Sequence, residues 1–311
     1  MTLTTELRNL QEQGAFDLPP LGEGDTAGRW RGLAGLARGE VSVGRLAEAH
    51  LDGHQILREA GRPHPADRLV GVWASEHPRW TVSGTFEDRQ RRLALRGSKA
   101  FCTGAGIVDD ALITVAVDGQ TRLVLVPGEA ITADRIDTSG WSASALADTR
   151  TAVVDLDGIE VAPEVVVGEP GWYLDRPGFW HGAVGPAACW GGGALGLVDH
   201  AVAHPPSGPH GRAHLGAMVA AGWAIEAALD RAGRATDHSP GDVDAAHRVA
   251  LITRHLIDAQ CADIGERFAR ALGPRPLVDD PAVIERHAAL TIYRRQCHGE
   301  RDLEDLGTLP Q

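Results

Sequence analysis

The side chains best suited to holding a metal or relaying protons cluster in one stretch, at His200, His204, His210 and His214. Ligation needs imidazoles that converge on one point, and neither an acid-rich nor an HExxH spacing accompanies these four. The segment His204-Pro205-Pro206-Ser207-Gly208-Pro209 explains them more simply as a proline-broken surface turn, so no metal is expected. Gly191-Gly192-Gly193 has the look of a phosphate loop, but it lies in an alanine-rich helical stretch with no Gly-Lys-Ser/Thr after it. Close helix packing is the expectation there. Cys102, Cys189, Cys261 and Cys297 share no CxxC spacing and read as free thiols of a reducing compartment. His298, near the C-terminal end, carries an imidazole, a group that can accept or donate a proton.

The 311 residues carry 43% hydrophobic and 23% charged side chains, an ordinary globular composition that excludes extensive disorder. A formal net charge of -12 argues against a nucleic-acid or anionic-membrane surface. No window approaches 18 uninterrupted apolar residues, and the first sixteen residues are polar and mixed in charge. Neither a membrane span nor a secretory signal is expected, which places the chain in the cytoplasm.

Three regions must position these groups, bounded at 1–68, 69–170 and 171–311. In the first, Leu7 and Leu10, then Trp30, Leu33, Leu36 and Ala37, then Leu46, Ala49, His50, Ile56 and Leu57 form helical stripes. In the second the period falls to two. The runs Leu69–Trp73, Ala111–Val117, Arg122–Val126, Thr151–Leu156 and Glu164–Val167 alternate with turn pairs such as Asp118-Gly119 and Asp157-Gly158. An antiparallel barrel or sandwich is expected. In the third, four longer helices read as a bundle, the third capped by Ser239 before Pro240 and the fourth by Asp280 before Pro281. The acidic tail Glu300-Arg301-Asp302-Leu303-Glu304-Asp305 reads as a solvated helix end.

Four segments carry a resemblance. Leu95-Arg96-Gly97-Ser98-Lys99-Ala100-Phe101-Cys102-Thr103-Gly104 fits a pattern L-x-G-x-K-x-F/W-x-S/T-N/G, and Val72-Trp73-Ala74-Ser75-Glu76 fits a strand ending in S/T-E. Gly193-Ala194-Leu195-Gly196-Leu197 is similar to a helix starting G-x-x-x-G, and Arg212-Ala213-His214-Leu215-Gly216 to R-x-x-F-G. Together with the order of the regions, these resemble the acyl-CoA dehydrogenase family. The resemblance implies an α+β fold with N-terminal helices, a central antiparallel β-barrel domain and a C-terminal four-helix bundle. It implies an FAD cofactor, an acyl-CoA or acyl-carrier substrate, and a homodimer or tetramer. Trp73, Ser75, Phe101 and Thr103 would supply the slot for the isoalloxazine, and Arg212 would face the pyrophosphate. Without the family, Trp73 and Phe101 read as barrel core, Thr103 as a turn residue and Arg212 as a solvated arginine opening a new helix. The helical region before the first strand is short for the family, which leaves the acyl pocket more open or covered by a partner subunit.

The family's carboxylate base is missing from both of its usual places. One reads Tyr293-Arg294-Arg295-Gln296-Cys297-His298-Gly299, so His298, or Cys297, falls where a glutamate is expected; the other reads Gly185-Pro186-Ala187-Ala188, with no acid. Three explanations stand side by side. His298 handles the proton, which fits a flavin monooxygenase or oxidase on the same fold; Glu300 or Asp199 serves; or the chain is a non-catalytic subunit of an active paralogue. An exposed histidine favoured by a helix C-terminus is the plain alternative for His298.

Overall fold

A computed structural model describes residues 2–87 and 91–309; residues 1, 88–90 and 310–311, including both ends of the expected regions, lie outside the described residues. The chain opens with α1 (Leu3–Glu12), α2 (Thr26–Gly39) and α3 (Val41–Glu59). The Thr2 and Asp25 side chains cap α1 and α2 by accepting from the Thr5 and Gly28 amides. Among the described residues nine strands follow: β1 (Val70–Trp73), β2 (Val82–Glu87), β3 (Arg92–Cys102), β4 (Asp110–Val117), β5 (Gln120–Pro127), β6 (Ile136–Asp137), β7 (Ala152–Asp155), β8 (Glu160–Val161) and β9 (Val166–Val167). Short helices α4 (Trp172–Asp175) and α5 (Pro177–Gly182) lead to α6 (Val184–Ala203), α7 (Pro209–His238), α8 (Val243–Leu272), α9 (Pro276–Asp279), α10 (Pro281–Tyr293) and α11 (Glu300–Thr308).

The chain folds into two compact units, one of residues 1–14 and 49–179, the other of 15–48 and 180–311. The first is built on the sheet. β4 and β5 form a long antiparallel ladder from Asp110↔Pro127 to Val117↔Gln120, and β2 pairs antiparallel with β3. The sheet is nevertheless mixed: β1 and β2 both run parallel to β4. The loop Ala74–Thr81 carries the chain past the end of β1, and β2 rejoins β4 in the same direction, a connection that alternation of side chains does not reveal. β4 has partners on both edges, and its side chains are buried on both faces except Ala116. Trp73, Leu95, Ile113, Val115 and Val154 form the centre of this core.

In the second unit α6, α7 and α8 pack together, with α2 against α6 and α7 and α10 against α6. Trp30, Trp190 and Phe268 are fully buried there. The glycine run of α6 makes the close approach possible: a Cβ on Gly192 would stand 2.0 Å from the Ala34 carbonyl oxygen of α2. Asp280 caps α10 as expected, accepting from Ala282 and Val283. Ser239 does not cap α8. It ends α7 instead, and Asp242, a stronger acceptor for an exposed amide, caps α8 by accepting from Ala245.

Candidate functional site

Two patches carry the chemistry, one in each unit. In the sheet unit β1 delivers Trp73 into the core, where its indole N–H donates to the Thr103 carbonyl oxygen over 2.9 Å. Trp73 therefore does not form an open wall; it fixes the turn that follows β3. The register of β3 against β7 shifts between Lys99 and Cys102, and in this bulge Phe101 takes a left-handed backbone (φ 59°). A phenylalanine pays about 1–2 kcal/mol for that conformation. The strain turns the ring outward, and Phe101 is 53% exposed while Ala100 and Cys102 on either side are buried.

His77 lies 5.8 Å from the Phe101 ring and 4.5 Å from Trp80, so three aromatic side chains share one ledge. Ser75 is exposed in the same loop. The Thr103 hydroxyl pairs with that of Thr151 at 3.0 Å. Beneath the loop, Lys99 is 1% exposed, with its ammonium 2.9 Å from Glu76 and 2.7 Å from the Thr114 hydroxyl, which donates to Glu76 in turn. Burial pushes the Glu76 carboxyl up, but the hydrogen bonds from Lys99 and Thr114 outweigh it and hold the group below its usual range. An aromatic ledge with nearby hydroxyls on a loop anchored by an ion pair to a buried lysine suits a flat, polar-edged ring such as an isoalloxazine. His77 and Trp80 were missed by sequence reasoning, although His77-Pro78-Arg79-Trp80 directly follows the Ser75-Glu76 pair.

In the bundle unit His298 stands in the turn between α10 and α11. Its Nδ1 is 3.2 Å from Asp302 Oδ1, and its backbone amide donates to Asp302 Oδ2. The imidazole is 62% exposed and the aspartate side chain 12%. Asp302 is thus not a solvated tail residue. A carboxylate only accepts, so the pair directs the Nδ1 proton to Asp302 and leaves Nε2 free. Behind it, Arg254 of α8 is buried, with Nε 4.0 Å from Asp302 and its guanidinium over the Trp190 ring.

The two places where an acid was sought are linked through side chains of this unit. Glu48 of α3 reaches α6: a Cβ on Gly185 would stand 2.8 Å from Glu48 Oε1. Burial pushes the Tyr293 hydroxyl well up, and the neighbouring Cys189 and Glu48 add to it, so Tyr293 and Glu48 share one environment. A carboxylate from another helix thus lies beside the stretch of α6 that has no acid of its own, a relationship with no local signal. Asp199 is engaged by Arg38, which donates two hydrogen bonds of 2.5 Å. Glu300 is exposed at the start of α11. Arg212 opens α7, exposed, and donates to the Ser207 carbonyl. The His200 and His204 rings lie tilted with centroids 4.4 Å apart, and no group of three potential metal ligands exists among the described residues.

No protein-family model matches the chain, and no curated protein does. Solved structures do. FMN-bound TdsC of Paenibacillus sp. A11-2, a dibenzothiophene monooxygenase, is 16% identical over 98% of this chain and 90% of that one, with a TM-score of 0.81. KijD3 in complex with FMN and a dTDP-linked amino keto sugar is 14% identical over 99% and 86%, with a TM-score of 0.83. The nitrososynthase of Micromonospora carbonacea var. africana is 14% identical over 98% and 88%, with a TM-score of 0.80. The likeness establishes the fold: α+β, of acyl-CoA dehydrogenase type, with N-terminal helices, a central sheet and a C-terminal bundle.

Proposed function

We propose that the chain is a flavin-dependent oxidoreductase that uses dioxygen to oxidise a small organic molecule. The observation that carries this reading is the His298–Asp302 pair, an oriented imidazole where the resemblance puts a glutamate. The fold, common to FMN-bound neighbours, and the Phe101 ledge support a flavin, as FMN or as the FAD that the resemblance implies. Bound flavin supplies the electron transfer. The part of the sheet unit is to seat the ring beside Phe101, Ser75 and Thr103; the part of the bundle unit is to accept or return a proton at His298 Nε2. Trp73 holds the turn, and Arg212 is the residue offered to a phosphate.

Acyl thioester oxidation is the second reading, favoured by Glu48 against Gly185, because removal of an α-proton needs a carboxylate. Anaerobic bleaching of the flavin by an acyl-CoA selects the second reading; oxygen uptake by the reduced protein without such bleaching selects the first. A colourless protein that takes up neither FMN nor FAD removes both. Full activity of this chain alone eliminates a purely structural role beside a paralogue.

No helix is long and apolar enough to cross a membrane among the described residues. Four free thiols fit a reducing cytoplasm. The exposed Val202, Val219 and Trp223 on α6 and α7 fit a homodimer or tetramer, which light scattering on the purified protein tests.

A further inference from the structure

Arg254 lies in the interior of α8, where an uncharged side chain would pack at lower cost. What its guanidinium touches explains its presence. Nη1 donates to the carbonyl of Ala183, immediately before α6, over 2.6 Å. Nη2 donates to the carbonyl of Gln296, two residues before His298, and Nε faces Asp302 at 4.0 Å. One helical turn along α8, Asp258 receives Arg294 at 2.6 Å. The segment from Arg294 to Asp302 is thus fastened to α8 on both sides of the histidine turn, and at its second fastening two arms of the fork donate to carbonyls while the third edge faces the carboxylate. A lysine would keep the charge but lose the planar fork that reaches two carbonyls and a carboxylate together.

We propose that Arg254 is a positioning residue for His298: it holds the Gln296 carbonyl and the Asp302 carboxylate in the one arrangement that keeps the imidazole proton on Nδ1 and Nε2 free. The inference rests on the reading of His298 as the proton-handling group, but its test needs no flavin. Burial disfavours the Arg254 charge, and the groups that oppose this are Cys297, Asp302, Glu48 and Tyr293. The turn that bears His298 and the acid of α3 therefore act on the same cation.

The test is nitrogen NMR of the His298 ring in the full-length, flavin-free protein at alkaline pH, with the signal assigned by its loss in His298→Gln. The native chain should show one tautomer, protonated at Nδ1. Arg254→Met and Arg254→Lys should each lower the ratio of Nδ1–H to Nε2–H by about tenfold, as for loss of one charge-assisted hydrogen bond. In an Asp302→Asn background, Arg254→Lys should change nothing further. An unchanged ratio in either folded variant overturns the proposal, as does a further change in the Asp302→Asn background. Should Arg254→Met fail to fold by circular dichroism, Arg254→Lys decides alone. Uptake of FMN is measured separately, so a native chain with the locked tautomer but no flavin binding sinks the functional reading and leaves the role of Arg254 standing.

Discussion

The ammonium of Lys99, sealed beneath the sheet, is held 2.9 Å from the carboxylate of Glu76 at the loop surface. The pair is asymmetric, because Lys99 is almost fully buried and the Glu76 side chain is 69% exposed. Removal of the acid leaves a buried cation with only Thr114, at a cost of about 1–3 kcal/mol, whereas Lys99→Met leaves a carboxylate that water can solvate. Urea denaturation should therefore rank Glu76→Ala as more damaging than Lys99→Met.

The same pair makes stability depend on pH. The Glu76 carboxyl is held below its ordinary value of 4.5 in the folded chain, so the folded state binds its proton less readily than the unfolded state. Its contribution is complete above 4.5 and is lost as pH falls through the lower folded value. In Glu76→Gln that part of the acid limb should vanish from a plot of unfolding free energy against pH.

Phe101 separates strain from binding. Phe101→Gly relieves the left-handed backbone, offset by the greater freedom of glycine in the unfolded chain, so stability should change by no more than about 1 kcal/mol. FMN affinity should fall by about tenfold or more if the ring is the wall of the slot, a loss of roughly 1.4 kcal/mol. Fluorescence titration of FMN against both proteins checks this, and equal affinity would remove Phe101 from the site.

Gly192→Ala tests the helix packing. The added carbon would meet a backbone oxygen of α2, which cannot turn aside as a side chain can, so a loss of about 2–4 kcal/mol is expected. Gly185→Ala meets only the Glu48 side chain, which can shift as a backbone cannot, and should cost less. Thermal melts of the two variants give the order directly.

The exposed His298 imidazole, oriented by the mostly buried Asp302, should matter far more to turnover than to stability. Asp302→Asn and His298→Gln are each expected to slow the flavin-dependent reaction about tenfold to a thousandfold, with melting temperatures little changed. Steady-state kinetics on flavin-loaded protein, with melts alongside, separate the two effects.

Local patterns in the sequence were sufficient for what local chemistry decides. Asp280-Pro281 announces a helix start, β-rich apolar runs bounded by turn pairs mark β4 and β5, and the glycine run on an alanine-rich helix announces close packing. The His298-to-Asp302 spacing was also legible, one helical turn apart, but a run of acids read as a solvated tail hid it. Other features have no local mark. The parallel pairing of β1 and β2 with β4 depends on where a loop returns. The bulge that turns Phe101 outward arises from register with β7, and the approach of Glu48 to Gly185 joins residues far apart in the chain. Ser239 lost α8 to Asp242 because α7 runs longer than its apolar stripe suggests.

Cys102, Cys189 and Cys261 are buried, and burial raises all three thiols; Cys297 alone among the four cysteines is partly open to solvent. Burial raises the Cys297 thiol as well, so accessibility alone sets it apart, and a maleimide or iodoacetamide reagent applied to the native protein should mark one position, the residue beside the candidate histidine. The molecule carries its own attachment point for a fluorophore or spin label, and changes around the imidazole can be followed without engineering a single cysteine.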